Sequence, residues 1–159
     1  MIGILLAPLA RSIIEERLKV RPGESLCIVT DTQSSPVITQ ALATAANAVG
    51  IETVIAVMMP RKMGEAVVPP DMVKAAMMAA DVIINQTTQS FGHTSFMRDL
   101  QDKGKRALVM PNMTEELMLN GAAAADFQEL KEITLRAGEV VDNGRQVRIL
   151  TDEGTDITF

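Results

Sequence analysis

Residues 26–36, with the sequence LCIVTDTQSSP, decide the fold of this chain. The apolar run that opens this stretch predicts a short buried β-strand, and the polar residues after it predict a turn. Ser34 or Ser35 is the expected N-cap of the next helix, and Pro36 suits the first helical turn, where no N–H donor is needed. The Ala-rich helix that follows is predicted to end at Gly50.

The same alternation of apolar strands and helices continues along most of the chain. It starts with a predicted amphipathic helix that reaches Leu18. Further strands are predicted at 53–58, 82–84 and 106–110, and further helices after the Pro69-Pro70 loop, at 95–102, from Thr114 and at 126–141. This rhythm predicts a three-layer α/β/α domain whose doubly wound, mostly parallel sheet has a flavodoxin- or Rossmann-like order.

The C-terminal residues have a different pattern. Two stretches with strand character, 146–151 and 155–159, flank the turn Asp152-Glu153-Gly154. This arrangement predicts a β-hairpin. We therefore divide the sequence into an α/β domain, 1–145, and a hairpin segment, 146–159.

The composition excludes several classes of partner. The chain has 159 residues, of which 47% are hydrophobic and 22% charged, as in ordinary globular domains. Its formal net charge is −5 and only 3% of its residues are aromatic, so we expect no nucleic-acid partner. Because no stretch approaches the roughly 18 consecutive apolar residues of a membrane span, we expect no membrane partner either.

Cys27 is the single cysteine and His93 the single histidine. A lone cysteine forms no internal disulfide, which favours a cytoplasmic location. Cys27 lies within an apolar run, where an unreactive core thiol is expected. Zinc sites take about three or four ligands rich in His and Cys, so this chain cannot assemble one from those residues. Any metal would have to bind to carboxylates or come with another chain.

The two most polar loops follow the first and third predicted strands. In a sheet of order 2-1-3-4 these loops meet where the strand order reverses, which is where doubly wound domains bind ligands. The residues expected to line this crevice are Asp31, Thr32, Ser34, Ser35, Thr87, Thr88, Ser90, His93 and Thr94. Because a helix begins after each loop, a small anion or a carboxylate is the expected ligand.

Each of these residues also has a purely structural interpretation. Asp31 and the two serines suffice to cap the following helix without any ligand. His93, beside Gly92, fits an ordinary loop residue, but its position after a strand equally predicts an acid, a base or a hydrogen-bond donor. No glycine-rich phosphate-binding motif follows a strand, so nucleotide binding has no support.

Seven short motifs together resemble a known family. They are 18–24 (LKVRPGE), 28–32 (IVTDT), 35–36 (SP), 79–83 (AADVI), 90–94 (SFGHT), 111–116 (PNMTEE) and 154–159 (GTDITF). In order and spacing they are similar to the N-terminal part of the thermophilic-type metal aminopeptidases, the leucyl aminopeptidase-like aminopeptidases T and S. The ring-cleaving dihydroxypyridine dioxygenases belong to the same fold family.

This resemblance implies the N-terminal α/β domain of a metal-dependent aminopeptidase, a domain that contributes to the cleft wall and to a homo-oligomer. In the family a divalent metal (zinc, cobalt or iron) is held by a C-terminal catalytic domain, whose ligands have no counterparts in this sequence. That domain, or a separate chain that carries it, is the implied partner. By its place after the third strand, His93 matches a histidine that the family presents to the catalytic cleft.

Two alternatives remain open. One assigns the same domain to a non-haem iron dioxygenase that opens a dihydroxypyridine ring, with His93 as an acid or base. The other is a stand-alone assembly or binding module that takes a small anion in the crevice. In all three interpretations the chain by itself is expected to bind no cofactor and to have no peptidase activity.

Overall fold

Strand β1 (Ser25–Asp31) lies inside a four-stranded sheet in the computed structural model, which describes residues 2–62 and 68–159. The other strands are β2 (Glu52–Met58), β3 (Val82–Gln86) and β4 (Arg106–Val109). Their order is β2-β1-β3-β4 and every neighbouring pair is parallel. The predicted sheet order is therefore confirmed.

Both strands next to the predicted crevice are longer than their apolar runs. The parallel ladder continues through Thr30, which pairs with Gln86, and β1 ends at Asp31. These polar residues are buried, as is Asn85. The polar residues after each apolar run thus begin inside the sheet and not in a loop.

Helices cover both faces of the sheet and bury two separate cores. One core includes residues of α1 (Ile2–Ser12), α2 (Pro36–Ala48) and α5 (Glu115–Asn120), and the other includes residues of α3 (Asp71–Ala79) and α4 (Ser95–Asp102). Successive side chains of a strand point to opposite faces. Leu26 and Ile28 accordingly belong to the first core, whereas Cys27 and Val29 belong to the second.

Hydroxyl caps set the starts of the helices that border the crevice. Ser35 Oγ accepts from the backbone N–H of Ile38 at 3.4 Å, and Thr114 Oγ1 accepts from that of Leu117 at 3.1 Å. The α2 end is set by Gly50, whose φ of +75° is a conformation that favours glycine. The first helix differs from its prediction, because it ends at Ser12 and passes into a π-helical turn before Leu18.

The described chain divides into two compact units, Met1–Ala124 and Ala125–Phe159. The second unit holds α6 (Phe127–Asp142) and the predicted hairpin, formed by β5 (Arg148–Leu150) and β6 (Asp156–Thr158). The predicted domain boundary at 145/146 lies within this unit, between α6 and β5, and stays a prediction.

Two sequence expectations concern the remaining stretches. The predicted loop before Pro69-Pro70 includes residues 63–67, which lie outside the described residues. Among the helices that the structure describes, none is long and apolar enough to cross a bilayer.

Candidate functional site

The loops after β1 and β3 come together at the carboxyl edge of the sheet, where the strand order places them. They border a polar cavity of about 260 Å³, to which the segment between β4 and α5 also contributes. We call it the switch-point crevice. Its lining residues are Gln33, Ser34, Ser35, Thr88, Asn112, Met113, Thr114 and Glu115.

Asp31 joins the two loops through its buried carboxylate. Its Oδ1 accepts from the N–H groups of Gln33 and Ser34, both at 3.0 Å, and from the Ser34 hydroxyl at 3.1 Å. Its Oδ2 accepts from the Thr88 N–H at 2.6 Å and from the Thr88 hydroxyl at 2.8 Å. A carboxylate offers about four lone-pair positions, so five donors leave Asp31 little capacity for a ligand.

The charge of Asp31 is maintained by these contacts. Burial by itself raises the pKa of the Asp31 carboxyl, because it disfavours the charged form. The hydrogen bonds from Thr88, Gln33 and Ser34 outweigh that effect and hold the pKa below its ordinary value. Asp31, predicted as a ligand-binding residue, is thus placed as an ionised link between two loops.

A second network connects α2, β3 and α5. The Ser35 hydroxyl donates to Glu115 Oε1 at 2.5 Å, and the Gln86 amide donates to the Ser35 carbonyl at 2.9 Å. The hydrogen bond from Ser35 is the main reason that the pKa of Glu115 lies below its usual value. The sequence placed Glu115 in the helix predicted from Thr114 and did not indicate that it lies in the crevice wall.

Thr32 and Thr87 do not line the crevice. Thr32 is exposed, and its backbone N–H donates to the Met58 carbonyl at 3.2 Å. Thr87 is buried, with its hydroxyl 2.6 Å from both Asn85 Oδ1 and the Gln89 carbonyl oxygen. The contacts of both residues serve the loops and not an open site.

Ser90 and Thr94 shape the segment that leads into α4. Ser90 Oγ accepts from the Gly92 N–H at 3.1 Å. Thr94 Oγ1 accepts from the Met97 N–H at 3.3 Å and donates to the Phe91 carbonyl at 2.8 Å, so this residue caps α4. Both hydroxyls are engaged in local turns, which is the structural interpretation that the sequence also allowed.

His93 lies apart from the switch-point crevice. It is exposed and lines a different cavity, of about 560 Å³, together with Gly92, Arg98, Gln101 and Val109. We call this the His93 cavity. Of the predicted site residues, the structure therefore brings Ser34, Ser35 and Thr88 together in one place and His93 into another.

The His93 loop contacts β4 closely at Gly92. A Cβ atom at Gly92 would lie 3.1 Å from both methyl carbons of Val109 and 3.3 Å from Ser90 Oγ. Such contacts are tighter than normal packing allows without a shift of the neighbouring atoms. The absence of a side chain at Gly92 thus lets the loop before α4 pack closely on Val109 of β4.

Two residues of the His93 cavity were missed by sequence reasoning. Arg98 and Gln101 lie three residues apart on α4, a spacing that places side chains on the same side of a helix. The signal was present in the sequence, because the polar positions of this helix follow directly after the loop that contains His93.

The remaining candidate for chemistry is Cys27. It is 1% exposed in the core that α3 and α4 cover, and burial raises the pKa of its thiol to about 11. A thiol in this state is protonated and inert at neutral pH. Among the residues that the structure describes, no group of three His, Cys, Asp or Glu side chains could hold a metal ion.

Fold and cavities together define a doubly wound α/β domain with polar loops at the carboxyl edge of its parallel sheet. A family model described as NicX, 2,5-dihydroxypyridine 5,6-dioxygenase, matches residues 11–159. This match covers nearly the whole chain, and the chain belongs to that family. No curated protein sequence matches it.

A solved structure shares the fold of this chain, and a second aligns with it more weakly. The 2,5-dihydroxypyridine dioxygenase from Pseudomonas putida KT2440 aligns with a TM-score of 0.79 and 15% identity, over 97% of this chain and 46% of that one. Wild-type AmpT from Thermus thermophilus aligns with a TM-score of 0.46 and 13% identity, over 89% of this chain and 49% of that one. This chain thus spans about half the length of either protein. The predicted order of preference between the two classes is reversed, since the dioxygenase alternative fits these comparisons better.

Proposed function

We propose that this chain is the α/β part of a dioxygenase that opens a hydroxylated pyridine ring, and that it forms one wall of the catalytic cleft. The observation that carries the proposal is the family match over residues 11–159. The shared fold with the Pseudomonas putida dioxygenase supports it, because that alignment takes in 97% of this chain.

His93 is the residue that we assign to proton transfer. An imidazole exchanges protons readily near neutral pH, and it both accepts and donates hydrogen bonds. When a ring hydroxyl gives up its proton for reaction with dioxygen, a histidine nearby can take that proton and return it to the opened product. The exposure of His93 at a cavity large enough for a single ring supports this role.

The resemblance implies iron for such dioxygenases, and the described residues do not fit a metal site. In this proposal the metal is held by residues other than those described, and this chain contributes the cleft wall and the proton carrier.

The proposal is tested on the protein isolated from its source, supplied with 2,5-dihydroxypyridine and dioxygen and, in parallel, with a leucyl peptide. We expect loss of the ring absorbance with uptake of dioxygen and no release of leucine. His93→Asn should lower the rate of ring opening by about 10²–10⁴-fold, the usual contribution of a positioned acid or base.

Lys103→Gln is the matched control, because this exposed residue at the end of α4 lies outside both cavities. It should leave the rate of ring opening unchanged. Peptide hydrolysis without ring opening would contradict the proposal. So would a His93→Asn variant that opens the ring at the rate of the unmodified protein.

A further inference from the structure

Arg98 brings a guanidinium group to the His93 cavity. Arg98 is exposed there and takes part in none of the ion pairs or side-chain hydrogen bonds between residues that the structure describes. Its own helix carries Asp102 four residues further on, the spacing at which helical ion pairs form, and the two do not pair. The guanidinium is therefore available at the cavity beside His93.

The rest of the cavity limits what the guanidinium could bind. Gln101 adds an amide with both donors and an acceptor, whereas Val109 and the backbone of Gly92 provide apolar surface. A guanidinium binds an anionic oxygen with two parallel hydrogen bonds and also stacks on the face of an aromatic ring. This combination fits a planar ring that carries one anionic oxygen.

The switch-point crevice is a poorer place for the same ligand. Its carboxylate groups, Asp31 beside it and Glu115 in its wall, retain negative charge, which repels an anion. Its hydroxyl groups at Ser35 and Thr88 are already donated to those carboxylates. The sequence predicted an anion at the crevice. The charges favour an anion at the His93 cavity instead, because no acidic side chain is among the residues that line it.

We infer that the His93 cavity is a binding subsite for the monoanion of a hydroxylated aromatic ring, with Arg98 holding the anionic oxygen. Gln101 contacts a second polar edge of the ring, and His93 faces the hydroxyl that exchanges its proton. The identity of the ring as a hydroxypyridine rests on the proposed function, but the recognition of a ring with an anionic oxygen rests on the cavity.

The experiment is an NMR titration of the 159-residue chain, uniformly labelled with ¹⁵N, with 2,5-dihydroxypyridine under argon. Saturable shifts are expected at the amides of Gly92, His93 and Arg98, and no shifts at Ser34 or Thr114 in the crevice. Inorganic phosphate tests the charge without a ring, and 2-hydroxypyridine tests the ring without the second oxygen. Both should bind more weakly than 2,5-dihydroxypyridine.

The decisive variant is Arg98→Gln, with Arg136→Gln on α6 as the control for the same change of charge. Arg98→Gln should weaken binding by about tenfold or more, the loss expected for one charge-assisted pair, while Arg136→Gln leaves binding unchanged. Arg98→Lys retains the charge without the fork of donors and should give an intermediate affinity. The ¹⁵N spectrum of each variant shows directly whether it is folded.

Three results would overturn the inference: no saturable shift around His93, shifts confined to the crevice, or equal affinity of Arg98→Gln and the unmodified chain. The outcome is separate from that of the proposed function. Binding at the cavity in a protein that does not open the ring would leave the subsite standing and remove the proposed reaction. Ring opening without any binding at the His93 cavity would support the proposed reaction and overturn the subsite.

Discussion

The switch-point crevice and the His93 cavity both border the loop that follows β3, yet their polar groups differ in what they contact. The crevice groups bond to each other: Asp31 holds Thr88 and Ser34, and Ser35 holds Glu115. In the His93 cavity, Arg98 has no such partner among the described residues. A cluster of polar residues after a strand thus has two different uses, and only unsatisfied groups favour a ligand.

The largest expected effect is a loss of stability when Asp31, beside the switch-point crevice, is replaced. Asp31→Asn replaces one carboxylate oxygen by an NH₂ group, which then faces N–H or O–H donors that had an acceptor before. We expect the free energy of unfolding to fall by about 2–4 kcal/mol, measured by urea denaturation. Asp102→Asn, the same change at an exposed position, should stay within about 0.5 kcal/mol of the unmodified chain. If the two variants were equally stable, Asp31 would not be the link between the loops.

The second largest loss of stability is expected at Gly92, where the His93 loop contacts β4. Gly92→Ala places a methyl group 3.1 Å from the Val109 methyl carbons, and we expect a loss of about 1–3 kcal/mol in unfolding free energy. The double variant Gly92→Ala with Val109→Ala should recover part of that loss, because it removes the clashing methyls. Gly138→Ala in α6 has open space around the new Cβ and should instead stabilise its helix by about 0.5–1 kcal/mol. Equal effects at Gly92 and Gly138 would contradict the close contact.

Low pH should remove the stabilisation that the ionised Asp31 carboxylate gives to the fold. Its pKa in the folded chain lies below the ordinary value of 3.8, so its stabilising effect is fully present above that pH and is lost as the pH falls through the folded pKa. The stability gap between the unmodified chain and Asp31→Asn should therefore be constant near neutral pH and shrink below a pH of about 4. Unfolding curves of both proteins at a series of pH values measure the gap. A gap that grew on acidification would mean that the folded pKa is raised.

The smallest effect is expected at Arg98. Because its guanidinium bonds to none of the described side chains, Arg98→Gln should change the free energy of unfolding by no more than about 0.5 kcal/mol. Thermal unfolding followed by circular dichroism gives this value. A loss above about 1 kcal/mol would show that Arg98 supports the fold and would remove its availability for a ligand.

The sequence was a good guide to the fold because burial and backbone chemistry act locally. The apolar runs lie in β1, β2, β3 and β4, the cap residues Ser35 and Thr114 begin α2 and α5, and the hairpin closes where its turn residues predict. The π-helical turn after Ser12 was not predictable, because the apolar spacing there fits a regular helix as well.

The site was harder to predict, for a physical reason. A hydroxyl or a carboxylate that follows a strand serves equally well as a helix cap, as a link between loops or as a ligand group. Only the three-dimensional arrangement shows that Thr94 caps α4 and that Asp31 already has five donors. Arg98 and Gln101 were not predicted, because they lie on a helix, whereas the ligand groups of doubly wound domains are expected in the loops after the strands.

The link at Asp31 also affects how this part of the chain moves. Since one carboxylate accepts hydrogen bonds from the connections after both β1 and β3, a displacement of Asp31 breaks the hydrogen bonds to both connections. The two strand–helix units are therefore expected to open and close as one cooperative element, and their amide protons to exchange with solvent together. An insertion that displaced the Asp31 carboxylate would therefore weaken both connections at once.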